Sequence, residues 1–416
     1  MTVRGSHVVT GGEIRPATIH IENGIITAVT PLDEQSSDPP AYGGIILPGL
    51  VDTHVHINEP GRAHWEGFET ATRAASAGGV TTLIEMPLNS IPATTNVSAY
   101  REKIAAAEDK LSVDTGFWGG VVPGNASVLE PMWDAGVFGF KCFLVPSGVA
   151  EFEHVSESDL RKAMPILARL GAPLLVHAES PHMLPARPPE SEREAIAMMI
   201  RLARDTGARV HIVHLAAIEA LPLVEQAQAE GIPITVETCP HYVAFEPGEI
   251  PAGATEFKCA PPIRGGLRPA LSRIGMVVSD HSPSPPELKR GDYDKAWGGI
   301  ASLELGLSVM ATIHDSFVDL AQWMCEAPAR LASLKNKGRI APGYDADLAF
   351  FDPTEHWTVR AEALHQRHKI TPYAGRELRG RVRATYLRGE QIYDDGNFAT
   401  PALGCVLKRD RFNGAG

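Results

Sequence analysis

Apolar runs of strand length alternate with helical patterns along most of this 416-residue chain. Such alternation indicates a parallel sheet, because two parallel strands need a long crossover connection that is usually a helix. From about residue 44 onward we count eight runs, the number of strands that closes a (β/α)8 barrel. The runs lie at 51–56, 81–86, 113–119, 139–144, 173–179, 209–215, 234–240 and 276–282.

Helical patterns lie between most of these runs. The clearest spans 157–170, where apolar residues recur at helical spacing and Ser156 stands three residues before Asp159, as in a capping box. A doubly wound open sheet is the alternative to a barrel, and it is disfavoured because no glycine-rich phosphate loop follows the first run. The helices are predicted at 67–77, 96–110, 126–133, 157–170, 191–206, 218–230, 301–313 and 317–334.

Both ends of the chain read as β-structure. The first 40 residues contain two alternating apolar runs joined by Glu-Asn-Gly, a hairpin signal, and strand patterns return from about residue 340. Because the termini of a domain often lie close together, we expect the two ends to form one small domain. The predicted division is therefore 1–46 for its N-terminal part, 47–340 for the barrel and 341–416 for its C-terminal part and tail.

Charge and composition exclude several classes of protein. The 50 acidic residues outnumber the 38 basic ones, a net charge of −12 that would repel a nucleic-acid backbone. No apolar run approaches the length of about 18 residues that spans a bilayer, and the first residues lack the apolar core of a secretory signal. Five scattered cysteines without a Cys-x-x-Cys pair suit reduced thiols, so we expect a cytoplasmic protein.

Polar residues that can bind metals recur near the carboxyl ends of the predicted strands. That end of a barrel is where active sites are built, and imidazole suits zinc and neighbouring first-row metals. Two of the histidines are two residues apart on the first run, so they project to the same side of a strand. The set predicts a metal site and consists of His54, His56, Lys141, His177, His214 and Asp280.

Each of these residues also has a purely structural interpretation. A single histidine in an apolar strand is more often a hydrogen-bonded core residue than a ligand, and Asp280 could cap a turn before Pro283. A buried Lys141 is harder to explain, because it must be paired, deprotonated or modified. His211 is predicted to face the helices, and Cys142 and Cys239 to serve packing. The sequence leaves open the roles of His241, His281, His365 and His368.

Six motifs resemble the cyclic-amidohydrolase branch of the amidohydrolase superfamily, which includes dihydroorotases and hydantoinases. They are LPGLVDTHVHINEPGRAHWEGF, AGGVTTLIEMPLNSIPATT, GFKCFL, VETCPHY, KCAPPIR and VVSDHSP, and the resemblance covers about residues 5–400. It is greatest to the members that open allantoin. It implies a distorted (β/α)8 barrel with a small β-sandwich built from both chain ends, and a homotetramer or homodimer.

The resemblance also implies a centre of two divalent metal ions, most commonly zinc, with cobalt, manganese or iron as alternatives. His54, His56 and Asp280 would hold the more buried ion, and His177 and His214 the other. Lys141 would be carboxylated by CO2 and would bridge both ions as N6-carboxylysine. Two metals can activate a bridging hydroxide that attacks the amide carbonyl, and Asp280 would carry the proton to the leaving nitrogen. No organic cofactor is expected.

One position bears on the substrate. Dihydroorotases have the pattern His-x-His-x-Arg, in which the arginine pairs with the substrate carboxylate. This chain has Asn58 at the position of that arginine. An amide can donate to and accept from a neutral hydantoin ring, and Ser282 matches a position whose backbone contacts the ring amide. We therefore expect hydrolysis of allantoin to allantoate, in purine catabolism.

Two other readings stay open. A hydantoinase, dihydropyrimidinase or dihydroorotase-like enzyme would use the same site on another cyclic amide, and an inactive scaffold homologue would have lost its ligands. The segments near 180–194 and 264–274 are shorter than the family pattern, which affects loops over the barrel mouth.

Overall fold

A computed structural model describes residues 1–33 and 40–409. Residues 34–39 of the predicted N-terminal part and residues 410–416 of the predicted C-terminal part lie outside the described residues. The strands are β1 (Thr2–Thr10), β2 (Glu13–Glu22), β3 (Ile25–Pro31), β4 (Tyr42–Pro48), β5 (Leu50–Val55), β6 (Val80–Glu85), β7 (Asp114–Phe117), β8 (Gly119–Gly120), β9 (Phe140–Phe143), β10 (Leu174–His177), β11 (Val210–Ile212), β12 (Ile234–Val236), β13 (Leu348–Thr358), β14 (Glu377–Leu387), β15 (Glu390–Asp394) and β16 (Asn397–Phe398).

The α-helices occupy most of the segments in which the sequence predicts them. They are α1 (Phe68–Ala77), α2 (Val97–Ala107), α3 (Leu129–Ala135), α4 (Glu157–Leu170), α5 (Pro189–Thr206), α6 (Leu221–Ala229), α7 (Pro240–Ala244), α8 (Leu271–Ile274), α9 (Pro286–Lys289), α10 (Gly306–Ile313), α11 (Phe317–Ala321) and α12 (Ala327–Leu331). Ser156 and Asp159 form the expected capping box at the start of α4. The single helix predicted at 317–334 is instead α11 and α12 joined by a π-helical turn, Gln322–Glu326.

The parallel strands form two groups that meet at one chain segment. β5, β6 and β7 form a three-stranded sheet, and β8 to β12 form a five-stranded sheet. β7 and β8 are separated only by Trp118, so residues 114–120 pair with β6 on one side and with β9 on the other. The ladder thus runs from β5 to β12 in chain order, as the alternation of strands and helices predicts.

The predicted eighth strand, 276–282, is wrong as a strand. It makes only isolated parallel bridges, Val277 with Thr238 and His281 with both Val55 and Ile300. The reason lies in two local features. Asp280 has a φ of 45°, which interrupts the extended backbone. The carboxylate of Asp52 accepts hydrogen bonds from the backbone N–H groups of Ser279 and His54, at 3.0 Å each, where strand carbonyls would otherwise serve.

The two chain ends form one mixed sheet, as the sequence predicts. Its strand order is β16-β15-β14-β13-β4-β1-β2-β3. The contact between the ends is the antiparallel pair β4–β13, in which Ile46 lies opposite Phe350. Among residues 1–33 and 40–409, no helix has both the length and the apolar character that crossing a membrane requires.

A buried charge cluster ties the parallel strands to this sheet. The ammonium of Lys337 lies 2.8 Å from a carboxylate oxygen of Asp114, which begins β7, and 2.7 Å from one of Asp347, next to β13. Asp345 is a third partner at 2.9 Å, and Arg388 of the sheet also pairs with Asp114. Burial alone would lower the pKa of Lys337, but the three carboxylates raise it above its usual value.

Removing this lysine charge should destabilise the fold. Lys337→Met would leave buried carboxylates without their cation, so we expect a loss of about 3–5 kcal/mol in the free energy of unfolding. Lys335→Met is the matched control, because Lys335 is exposed and surface changes stay within roughly 0.5 kcal/mol. Denaturant unfolding of the three proteins measures the difference. Equal stability of both variants would show that the cluster does not hold the two parts together.

Candidate metal centre

The parallel strands bring all six predicted ligands to one place. His54 and His56 lie at and just after the end of β5, and His177 ends β10. Lys141 lies within β9, while His214 and Asp280 stand on loops that follow the ladder. Five of the six line one cavity, and the sixth, Lys141, is fully buried beside it. Carboxyl ends of neighbouring parallel strands meet at one edge, which explains the convergence.

One group of donor atoms surrounds Asp280. Its Oδ1 atom lies 3.2 Å from Nε2 of His54 and 3.5 Å from Nε2 of His56. All three residues are buried, and their ligand atoms lie within 4.8 Å of one another. Two imidazoles and a carboxylate are donors that zinc and similar divalent ions accept. This group could therefore hold one metal ion.

A second pair of nitrogens faces the same cavity. Nδ1 of His177 and Nε2 of His214 are 2.9 Å apart. The ring of Phe143 stacks on the ring of His177 with centroids 4.7 Å apart, and this contact fixes the imidazole plane. The two nitrogens face each other, one from the end of β10 and the other from the loop after β11. They are suited to share a metal ion.

The ammonium of Lys141 lies over the ring of Phe143, 4.9 Å from the ring centroid. The lysine side chain is fully buried, and Nζ makes no hydrogen bond to any residue in the described part of the chain. Burial lowers the pKa of Lys141 to about 8, although the carboxylates of Asp280 and Glu237 oppose that change. A buried amine without a partner is costly unless it is neutralised, modified or bound. Lys141 therefore needs one of these to remain buried.

Burial keeps the four imidazoles neutral. It lowers the pKa of His56 and His177, and lowers that of His54 and His214 further below the usual value. The positive charge of Lys141 contributes to each of these decreases. Only a neutral imidazole has the lone pair that a metal needs. The donor set is therefore already in its binding form at neutral pH.

Two ligand positions have strained backbone. His214 has a φ of 42° and Asp280 a φ of 45°, in the left-handed region that non-glycine residues rarely adopt. Such conformations cost about 1–3 kcal/mol each and persist where the surrounding structure holds them. Both occur where the chain turns out of the ladder, so the strain aims these two side chains at the cavity.

A known protein family matches most of the chain. The model of the amidohydrolase family matches residues 45–392. This chain belongs to the amidohydrolase family.

Curated proteins similar to this chain include several allantoinases. The chain is 46% identical to the allantoinase of Streptomyces avermitilis over 99% of both chains, and 42% identical to that of Saccharomyces cerevisiae over 95% of both. The first alignment spans 443 positions against 416 residues here, so at least 443 − 416 = 27 positions have no counterpart in this amidohydrolase. That difference is in line with the short segments seen in the sequence.

Solved structures give the same fold. The L-hydantoinase (dihydropyrimidinase) of Arthrobacter aurescens superposes with a TM-score of 0.91 at 30% identity, covering 98% of this chain and 99% of that one. The dihydropyrimidinase of Brevibacillus agri NCHU1002 superposes with a TM-score of 0.88 at 26% identity, covering 100% and 99%. These amidohydrolases are TIM-barrel proteins, and the present chain shares their parallel strands and mixed sheet.

A layer of carboxylates behind the ligands escaped the sequence analysis. Glu237 accepts a hydrogen bond from Nδ1 of His54 at 2.6 Å and contacts Nε2 of His211 at 2.9 Å. His211, which was predicted to face the helices, thus supports the site. Glu179 contacts Nε2 of His177 at 2.7 Å and also pairs with Arg187. Such carboxylates fix the tautomer and the orientation of ligating histidines.

Asn89, which the sequence analysis missed, lines the cavity, and Asn58, which it predicted, does not. The cavity's other lining side chains include Leu88, Asn89, Phe143, Ser147, Ser282 and Trp297. Asn58 is fully buried, donates to the carbonyl of Pro283 at 3.4 Å and is not among the described lining residues. Asn89 lines the cavity instead, with Nδ2 at 3.4 Å from Nδ1 of His56. Asn89 has a φ of 65°, a backbone conformation that could not be predicted from the sequence.

The four histidines left open by the sequence have different surroundings. His281 supports the site, since its carbonyl accepts from the N–H of His56 at 2.8 Å. His365 pairs with Glu304, and His368 contacts the carbonyl of His64, both away from the cavity lining. Burial lowers the pKa of His241 to about 4, and its ring lies beside that of Tyr242.

Loss of the Glu237 carboxylate should weaken metal binding. Glu237→Gln removes the anionic acceptor that orients His54, so we expect zinc affinity to fall by about 10–100-fold. Glu304→Gln is the control, because Glu304 contacts His365 instead of a candidate ligand. Competition with a chromophoric chelator measures both affinities. An unchanged affinity in Glu237→Gln would contradict an orienting role.

Proposed function

We propose that this chain is a metal-dependent cyclic amidohydrolase that opens the hydantoin ring of allantoin to give allantoate. The observation that carries the proposal is the convergence of four neutral imidazoles, a buried lysine without a hydrogen-bond partner in the described chain and one carboxylate on a single cavity. Similarity to curated allantoinases over nearly the whole chain supports the choice of substrate. Hydantoinase-like action on other cyclic amides is the second candidate, supported by the structural neighbours.

The donor groups suggest how the metals would be held. His54, His56 and Asp280 would bind one ion, and His177 and His214 the other. Lys141 as a CO2-derived carbamate would contact both, since Lys141 is buried and its Nζ lies against the ring of Phe143, which stacks on His177. Zinc suits these donors, and cobalt, manganese or iron remain alternatives. When bound, the ions polarise the ring carbonyl and lower the pKa of the attacking water.

The chain's own residues would move the proton. Asp280 is 8% exposed and lines the cavity, so its carboxylate can reach both a water and a ring nitrogen placed there. It would accept the proton as the water oxygen attacks the carbonyl carbon, and donate it as the carbon–nitrogen bond breaks. Oδ1 of Asp280 faces the His54 and His56 nitrogens, where an ion would be bound, and Oδ2 is left for proton transfer.

The cavity lining suits an uncharged ring. No arginine or lysine occurs among the cavity-lining residues of the described chain. Asn89 offers an amide whose Oδ1 has no hydrogen-bond partner, and Ser282 offers its carbonyl, since its N–H already donates to Ile300 at 2.9 Å. Asn58 would act from behind the cavity instead of by direct contact. A carboxylate on the substrate would find no cationic side chain among the described residues that line the cavity.

The finer architecture is also part of the proposal. The bridges of 277 and 281 would close the parallel strands into a (β/α)8 barrel, and the mixed sheet would fold over as a β-sandwich around Val8, Ile19 and Ile46. The parts would be 1–46, 47–340 and 341–416. The five unpaired cysteines suit a cytoplasmic location. A homotetramer or homodimer remains a prediction from family resemblance.

Substrate charge provides the first test of this function. We expect kcat/KM for allantoin to exceed that for dihydroorotate by at least about tenfold, because an unpaired buried carboxylate costs several kcal/mol and tenfold corresponds to about 1.4 kcal/mol. Hydantoin and dihydrouracil, which are uncharged, are the matched controls for ring chemistry. Comparable values for allantoin and dihydroorotate would contradict the assignment. Faster turnover of dihydrouracil than of allantoin would favour the second candidate.

Lys141 provides the second test. Lys141→Ala should lose most activity, and a short carboxylate in solution should restore part of it by replacing the carbamate oxygens. Lys103→Met is the control, because Lys103 is an equally buried lysine that pairs with Glu85 instead. Its activity should not respond to added carboxylate. Intact mass of the wild type, with and without CO2, provides an independent measurement. Normal metal content in Lys141→Ala would contradict the bridging role.

A further inference from the structure

Asp280 belongs to a second group of potential ligands. Cys239, His241 and Asp280 each place one ligand atom within 4.8 Å of the others, and all three residues are buried. The sulfur and the imidazole come from the start of α7, directly after β12. The bridge between Thr238 and Val277 holds this segment against the loop that carries Asp280. Cys239 and His241 therefore approach Asp280 from the side of β12, whereas His54 and His56 approach it from the side of β5.

His241 is the unusual member of this group. Its side chain is fully buried, yet neither Nδ1 nor Nε2 has a hydrogen-bond partner among the residues the structure describes. A buried polar group normally has a partner, and each unsatisfied one calls for an explanation. The roles proposed above for the catalytic centre do not use His241 or Cys239. A ligand that takes a nitrogen lone pair would satisfy this ring.

The three donors define the ligand's chemistry. Thiolate and imidazole select zinc and other thiophilic ions, whereas magnesium and calcium prefer oxygen donors. Binding would break the S–H bond of Cys239, form a sulfur–metal bond and release one proton to solvent. The thiolate and the carboxylate would then balance the two charges of the ion.

We propose that Cys239, His241 and Asp280 form an inhibitory site for a thiophilic divalent ion. The ion would enter through the cavity that Asp280 lines and bind behind it. Asp280 is the residue that both groups share, so an ion on Cys239 and His241 competes with the catalytic group for its carboxylate. Occupation of the site thus draws the carboxylate away from the catalytic group. The inference depends on the proposed function only for the loss of activity.

Cadmium is a suitable probe, because a cadmium–thiolate bond absorbs in the ultraviolet. The experiment uses the metal-loaded enzyme with Cys405→Ser, which removes the one exposed thiol. Titration should produce the thiolate band with a midpoint at about one cadmium per chain, one proton released per ion, and a parallel loss of activity. An inactive starting enzyme would contradict the proposed function, while the band and the proton release would still test this site.

Two further variants identify the ligands. Adding Cys239→Ser should abolish the band and raise the cadmium concentration for half-inhibition at least about tenfold, a change of about 1.4 kcal/mol in binding. His241→Gln should keep the thiolate band but shift its midpoint to higher cadmium. Adding Cys325→Ser, a buried thiol beside the carbonyl of Pro48, is the control and should change neither. A band and inhibition unaffected by both Cys239→Ser and His241→Gln would overturn the proposal.

Discussion

Four imidazoles, an amine and a carboxylate share one buried volume in which they cannot satisfy each other's electrostatics. Each of the histidines is kept neutral by burial, and Lys141 has no hydrogen-bond partner within the described residues. Such an arrangement persists only if something with a complementary charge completes it. The carboxylates behind the site already satisfy one ring nitrogen of two of these histidines. Glu237 and Glu179 hold His54 and His177, and the remaining donor atoms face the cavity.

The backbone around the cavity reflects the same requirement. An ideal strand would carry its side chains alternately to the two faces of the sheet, and it could not point successive donors at one spot. The structure solves this by leaving the extended conformation at His214 and Asp280, where φ is positive. Asp52 then replaces missing ladder bonds by accepting from His54 and Ser279. The irregular backbone of residues 276–282 is thus a consequence of where the Asp280 carboxylate must lie.

The sequence predicted the residues that converge on the cavity better than the residues that lie behind them. Strand ends are visible as apolar runs, so the convergence of His54, His177 and Asp280 on one cavity followed from their positions in those runs. Glu237 lies 183 residues from His54, and no local pattern connects the two. The prediction of the eighth strand was wrong because the positive φ at Asp280 cannot be recognised in the sequence. Asn58 was expected at the substrate, but its side chain is buried beside Pro283, and Asn89 takes the cavity position.

The joining of the chain ends in one sheet has a consequence for biosynthesis. β4 gains its partner β13 only when residues about 300 positions later have left the ribosome, as the pairing of Ile46 with Phe350 requires. At synthesis rates of about 5–20 residues per second, that interval lasts roughly 15–60 s. During it the nascent β4 presents an open edge of backbone groups, which invites pairing with other chains. β4, one of the first strands to be made, is therefore among the last to have both edges paired, and the time for which its open edge is exposed depends on how fast translation proceeds.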